Sequence, residues 1–327
     1  MAGERTVYNP TTGRLVYKIS ADPDISGRIC YKGTPGQPYI IEALFTVKCF
    51  ATNLGVLYAL TIDNRLVMRE LDGTWTQIGV SPGSPAVTVK PQLIGYGGDL
   101  FVVCLKSSTN PWYSVYRWLN PGWFREVPTN MRAGYILFDN DAYLVVTGYR
   151  VGDGNGIGGR RLGVGSWAWG TTFFFEWRTL DAPTLYDDGT NAGLVMGHGY
   201  ITGTTNMLFT ATGNPGNGGY WSAEYAGFIW NGGGVWGGVK RRVLLGDSWS
   251  DISAVASLES RDVQVAGGKM YWTMRNIFDE GYVYTYDGSS WDLLFKNPNG
   301  RTDRDTTVFD GDVFIGFQDG IYRIPVV

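Results

Sequence analysis

Four segments of this chain repeat one hairpin. "VMRELDGTWTQIG" places Asp72-Gly73 before Trp75, and "VYRWLNPGWFREV" places Asn120-Pro121-Gly122 before Trp123. "AGFIWNGGGVWGGV" carries Asn231-Gly232 before Trp236, and "VYTYDGSSWDLLF" carries Asp287-Gly288 before Trp291. Each reads as a strand, a turn of residues that tolerate positive φ, and a second strand opened by tryptophan. A degenerate fifth copy, "FFEWRTLDAPTLYD", has Asp181 at the turn and Leu185 in the tryptophan's place. From Trp75 through Trp123, Leu185 and Trp236 to Trp291 the steps are 48, 62, 51 and 55 residues, a repeat with variable loops.

A second pattern runs in phase with the first: an apolar strand, a short Gly/Asn/Asp turn, and a more apolar strand. Its copies are "CFATNLGVLYAL", "LIGYGGDLFVV", "ILFDNDAYLVV", "VQVAGGKMYWTM" and "TVFDGDVFIGF", with a blurred copy near residue 200 where "LVMGHGYITG" and "TGTTNMLFTA" both fit. Each repeat is therefore a four-stranded meander with two faces to cover, and stacking the sheets around an axis covers both. A repeat of about 54 residues in a 327-residue chain gives six. The expected fold is all-β, a single six-bladed β-propeller domain of four-stranded antiparallel blades. The blades fall at about 43–80, 86–128, 131–187, 190–245, 260–297 and 304–327. The last blade lacks its final strand, so residues 14–20 ("GRLVYKIS" region) are expected to complete it and close the ring, with 21–42 as an outer connector.

The stretch "LYALTIDNRLVMRELDGTWTQIG" resembles the blades of kelch-like and tectonin-type propellers, which pair a strand-turn-strand with a tryptophan near the last strand. The resemblance implies a propeller and, for the tectonin type, a lectin. The Asp-Gly…Trp turns are also similar to the Asp-box of sialidase-type propellers. Here the aspartate and glycine are adjacent, which departs from that box, so no catalytic residues follow from it.

Composition narrows the function. Net charge is −3 with a pI near 5.3, which gives no field to gather a polyanion, so nucleic acid is not expected as a partner. No apolar run reaches the ~18–20 residues of a membrane span, and the N-terminal residues "MAGERTVYNP" lack the basic and apolar regions of a secretory signal. Cys30, Cys49 and Cys104 are widely spaced. Cys49 and Cys104 sit in apolar strand-like runs and read as buried small hydrophobes.

Candidate functional residues fall on the long, variable loops between strands two and three and between successive blades, where a rigid scaffold presents irregular chain. Segment 148–170 carries Arg160, Arg161, Trp167 and Trp169 among glycines. Guanidinium planes beside indoles suit sugars, carboxylates or a protein partner. The alternative is an insertion whose tryptophans pack on a neighbouring blade. "GDGNGIGG" lacks the lysine and helix of a phosphate loop, and Asp153 with Asn155 lacks further local calcium ligands. His198 is the one histidine, which leaves no histidine pair for zinc. Among close carboxylates, Asp139, Asp141, Asp310 and Asp312 fit turn chemistry. Asp187, Asp303 and Asp305 fall on the loop face, where a carboxylate pair would suit glycoside hydrolysis.

The expected function is non-catalytic: a binding and structural propeller without cofactor or metal. Abundant Gly, Thr, Asn and Trp, few Lys and Glu, and long loops resemble the composition of phage tail and virion proteins. That likeness implies a virion location after synthesis in the host cytoplasm, with other virion or assembly proteins, or a surface glycan, as partners. Arg160, Arg161, Trp167, Trp169, Asp303 and Asp305 are the expected ligand residues. The alternatives are a cytosolic or secreted tectonin-like lectin and a carboxylate-based glycosidase.

Overall fold

The hairpins between first and second strands turn on paired residues of positive φ. They are Leu54-Gly55 (48° and 73°), Ala226-Gly227 (53° and 77°), Gly267-Gly268 (54° and 72°) and Asp310-Gly311 (51° and 80°). Two consecutive left-handed residues give the turn whose twist matches that of the flanking strands. At the hairpins between third and fourth strands an aspartate does the work. The Asp72 carboxylate accepts the Thr74 amide at 2.9 Å and its hydroxyl at 2.6 Å. Asp287 accepts the Ser289 amide and hydroxyl, both at 2.8 Å, and the Ser290 amide at 2.9 Å. These bonds hold the Asp287 carboxyl at a pKa of about 2.

A computed structural model describes residues 5–8, 15–19, 37–82, 93–96, 98–105, 113–125, 131–139, 143–150, 154–161, 168–169, 184–187, 192–196, 199–202, 208–211, 219–233, 239–243, 248–252, 258–300 and 303–326. They form strands and turns, with no helix among them. The first sheet is β4 (Val47–Asn53), β5 (Val56–Thr61), β6 (Arg65–Arg69) and β7 (Trp75–Val80), and the second is β8 (Leu93–Tyr96), β9 (Asp99–Leu105), β10 (Tyr113–Leu119) and β11 (Gly122–Arg125). The third is β12 (Met131–Asp139), β13 (Tyr143–Arg150), β14 (Gly154–Arg161) and β15 (Ala168–Trp169), bridged to the second through the pair Tyr113–Met131. The fourth is β16 (Thr184–Asp187), β17 (Ala192–Met196), β18 (Gly199–Thr202) and β19 (Leu208–Ala211). The fifth is β20 (Gly219–Tyr225), β21 (Phe228–Gly233), β22 (Val239–Val243) and β23 (Ser250–Ile252), and the sixth is β24 (Glu259–Ala266), β25 (Lys269–Arg275), β26 (Gly281–Tyr286) and β27 (Trp291–Lys296). The seventh is β28 (Asp303–Phe309), β29 (Asp312–Phe317) and β30 (Gly320–Ile324), completed by β3 (Ile40–Ala43). All pair antiparallel, and β1 (Arg5–Tyr8) pairs with β2 (Leu15–Ile19) in a separate hairpin.

Among the described residues there are thus seven four-stranded units, one more than the tryptophan spacing gave. The additional unit is the fourth, which spans 184–211, has strands of only four or five residues and contains no tryptophan. Expected blades 131–187 and 190–245 together hold three sheets apart from β23, which lies beyond residue 245. Leu185 lies in β16, a first strand, and Asn231-Gly232 lies within β21, whose turn is the preceding Ala226-Gly227. Trp236, Asp181 and His198 lie outside the described residues.

The strand that completes the seventh sheet also differs. Residues 15–19 pair with β1, and Ile40, Ile41 and Ala43, in the expected connector, pair with Arg323, Tyr322 and Ile321. Charge explains the preference for β3. Glu42 is buried and meets Arg69 of β6 at 3.1 Å and Arg323 of its own sheet at 2.6 Å. It thereby joins the seventh sheet to the first.

The core lies between sheets. Cys49, Leu60 and Leu66 of the first sheet pack on Leu100, Val102 and Trp118 of the second. Ala43, Phe314 and Ile321 pack on Val47, Phe50, Leu57 and Trp75. Tyr271, Val283 and Phe295 meet Val313, Ile315 and Tyr322, and Trp230 and Val239 meet Met270 and Trp272. Each fully buried aliphatic or aromatic side chain contributes about 1.5–3 kcal/mol.

Candidate functional site

In three first strands the residue after a bulge reaches the next sheet. Register shifts fall between Val47 and Cys49, Ser260 and Asp262, and Asp303 and Asp305. The Asp262 carboxylate accepts the Thr306 amide of β28 and its own neighbour Val263's amide, each at 2.9 Å. Asp305 accepts the Phe50 amide of β4 at 2.7 Å. At the third such position the Cys49 thiol takes the backbone amide of Leu93 in β8. Burial, followed by the charge of Asp305, pushes the Cys49 thiol well above its usual range. Burial likewise raises Cys104 to about 11, so both thiols stay neutral and serve as core residues.

Asp305, expected as a ligand residue, thus acts through this bond as a clasp between sheets. Asp303 opens β28 opposite Phe317. Arg160 and Arg161 end β14 opposite Leu144 and Tyr143, and Trp169 pairs with Gly158 in β15. Most of segment 148–170 is thus two strands and the end of a third, because a glycine run pairs its backbone as readily as it loops. Arg160 and Arg161 lie at the end of the third sheet where β12 turns into β13, opposite the end expected for the binding loops. Trp167 lies outside the described residues.

The described residues also form a candidate site, an open aromatic cleft of about 620 Å³ between the outer strands of the first two sheets. Alternation along β10 puts Tyr116 and Trp118 on one face, and the register sets Trp123 of β11 directly across from Trp118, ring centroids 5.2 Å apart at 60°. Trp123 Nε1 donates to the Val80 carbonyl at 2.6 Å, which ties β11 to β7 of the neighbouring sheet. Gly79 makes the approach possible: a Cβ there would lie 2.4 Å from the Trp118 ring. Pro82 and Pro121 extend the walls, and Gln77, Ser81 and Tyr116 supply polar groups. Burial raises the Tyr116 phenol, opposed by the charge of Arg125 across the strand pair, so its hydroxyl remains a donor.

The lining contains no carboxylate, histidine or lysine. Such a surface can stack flat apolar faces and bond a few polar groups. It has no acid–base pair with which to move a proton. Among the described residues no three His, Cys, Asp or Glu side chains converge as metal ligands. The sequence marked Trp123 only as a repeat signpost. The signal for the cleft was the i, i+2 pair Tyr116 and Trp118 beside it.

Solved structures resemble this fold. A catalytically inactive virginiamycin B lyase from Staphylococcus aureus with quinupristin is 12% identical, with a TM-score of 0.64 over 90% of this chain and 98% of that one. A streptogramin B lyase is 13% identical, with a TM-score of 0.61 over 86% and 94%. The WD40 β-propeller domain of Doa1 is 9% identical, with a TM-score of 0.59 over 87% and 95%. This likeness shows the class, an all-β protein of the β-propeller fold. No family model and no curated protein matches the chain.

Proposed function

We propose that the chain is a non-catalytic binding and structural propeller of seven blades, closed by β3, that holds a glycan or protein partner in the aromatic cleft. The observation that carries this is the cleft lining: Tyr116, Trp118 and Trp123 with two prolines and no acid–base pair. Stacking aromatics with few hydrogen-bonding groups retain a ligand without transforming it. The order in which first strands pack, β12 on β8, β8 on β4, β4 on β28, β28 on β24, β24 on β20 and β20 on β16, supports the seven-bladed ring. Engagement of Asp305 by the Phe50 amide counts against a carboxylate glycosidase. The lyases among the structural neighbours share too little sequence to bring a reaction with them. Composition supports a place in a phage-like particle, and the kelch-like and tectonin-type resemblance of the first blade supports a binding role.

The test is retention of the chain on a glycan array and its co-sedimentation with particles from its source, each repeated with Trp123→Ala and Tyr116→Ala. Loss of about tenfold or more in either variant, with an unchanged melting profile, supports the reading. Retention and co-sedimentation that both variants leave intact would overturn it.

A further inference from the structure

The rings of the cleft meet at a corner. Trp118 is buried at its floor, Tyr116 and Trp123 are half-buried, and the two indoles are inclined at 60°. Their orientation is fixed, because Trp123 spends its indole N–H on the Val80 carbonyl and Trp118 is seated against Gly79. What these indoles offer a ligand is therefore their electron-rich faces rather than hydrogen bonds. Elsewhere in the chain such faces already hold cations. The Arg241 guanidinium lies 4.5 Å from the Phe228 ring centre and 5.3 Å from that of Trp230, and the Lys296 ammonium lies 5.5 Å from that of Tyr282. The cleft lining contains no arginine, lysine or histidine, so none of its own side chains is a cation that could cover the rings.

The polar groups of the lining are few, and they narrow the choice of ligand. They belong to Gln77, Ser81 and Tyr116, and the Ser81 hydroxyl already contacts the Cys104 sulfur at 3.6 Å. A bare pyranose brings a hydroxyl on most of its carbons, and each one buried without a partner costs binding. A quaternary ammonium has no N–H to satisfy, and ring faces within about 6 Å attract it. We infer that the Tyr116–Trp118–Trp123 corner binds a quaternary ammonium group of the choline type. Its methyl groups lie against the rings, and its oxygen-bearing arm turns to Gln77 and the Tyr116 hydroxyl. This rests on the cleft being a binding site and names the group that it grips. Arg125 lies outside the lining, but its charge acts on Tyr116 from across the strand pair and opposes a cation in the corner.

The experiment is ligand-observed NMR of the full chain with choline and with neohexyl alcohol, the carbon isostere that keeps choline's shape without its charge. Choline should bind with a Kd of about 1 mM or below, and the isostere about tenfold or more weaker. Trp123→Ala should weaken choline about tenfold or more. Tyr116→Phe keeps the ring and should bind as wild type, whereas Tyr116→Leu removes it and should bind as weakly as Trp123→Ala. Should Trp123→Ala lose its melting transition, this Tyr116 pair carries the test. Arg125→Ala removes the opposing charge and should tighten choline about threefold. Equal binding of choline and its isostere would overturn the inference, as would choline binding that Trp123→Ala and Tyr116→Leu both leave intact. Tighter binding of a trimethyllysine peptide than of choline would overturn the choline assignment. No choline binding, with Trp123-dependent retention on a glycan array, would overturn the inference while leaving the cleft as a site. No choline binding and no Trp123-dependent retention of any kind would overturn both.

Discussion

Asp262 of the sixth blade holds the backbone amide of Thr306 in the seventh at 2.9 Å, from a side chain that is itself buried. The bond spans 44 residues of sequence and joins two first strands that share no ladder. Its second oxygen holds the amide of Val263, so one carboxylate satisfies two donors at the bulge. Asp262→Ala leaves both amides without that acceptor and should cost about 2–4 kcal/mol, whereas Asp262→Asn keeps one acceptor and should cost about half as much. Urea unfolding midpoints measure both, and a midpoint for Asp262→Ala equal to wild type would remove the clasp from the account.

Cys49 stands where Asp262 and Asp305 stand on their own blades, yet it is a thiol. The neighbouring charge gives the reason: Asp305 acts on Cys49, and a second carboxylate there would be buried beside the first. Cys49→Asp should therefore destabilise by about 3 kcal/mol or more. Asp305→Asn alone should also destabilise, and the double variant should lose clearly less than the two single losses added. A double-mutant cycle by urea denaturation reads this directly, and strict additivity would show that the two positions do not share charge.

Much of this architecture was legible in the sequence because turn chemistry is local. Gly267-Gly268 and Asp310-Gly311 mark first hairpins, and Asp72-Gly73 and Asp287-Gly288 mark last ones, all where the structure has them. The fourth sheet was not legible, since its short strands between Thr184 and Ala211 carry no tryptophan to count by. Neither was the strand that completes the seventh sheet. "LVYKI" and "IIEA" are equally strand-like, and the choice depends on Arg69 and Arg323 meeting Glu42 in space. The cleft was hidden for the same reason, because it exists only where Gly79 of one sheet admits Trp118 of the next.

Acid should weaken the last hairpin of the sixth blade by competing for the Asp287 carboxylate. With Oδ1 accepting from Ser289 and Ser290, the folded carboxyl titrates at about 2, below its ordinary 3.8. The folded state thus binds fewer protons than the unfolded one. The contribution is complete above pH about 4 and is lost as pH falls toward 2. Following the Asp287 carboxyl by NMR titration should give that low midpoint, and Asp287→Asn should flatten the loss of stability across the same window. A midpoint near 3.8 would mean that the serine amides do not hold the carboxylate in solution.

If β3 completes the seventh blade, the chain upstream of it should be dispensable for folding. A chain beginning at Gln37 keeps Ile40, Ile41 and Ala43 on their partners Arg323, Tyr322 and Ile321, and keeps Glu42 between Arg69 and Arg323. It should unfold within about 1 kcal/mol of the full chain, because among the described residues the β1–β2 pair is bonded to no blade strand. Glu42→Gln in the full chain is the complementary change, since it leaves two guanidinium groups facing a neutral amide. Breaking a fully buried pair costs about 3–5 kcal/mol. Arg69 and Arg323 retain 15% and 29% side-chain exposure, so about 2 kcal/mol is expected here. If the shortened chain fails to fold while Glu42→Gln is neutral, closure belongs to residues 15–19 after all. The opposite pattern, a stable shortened chain and a weakened Glu42→Gln, fixes the seam between the last and first blades at Glu42.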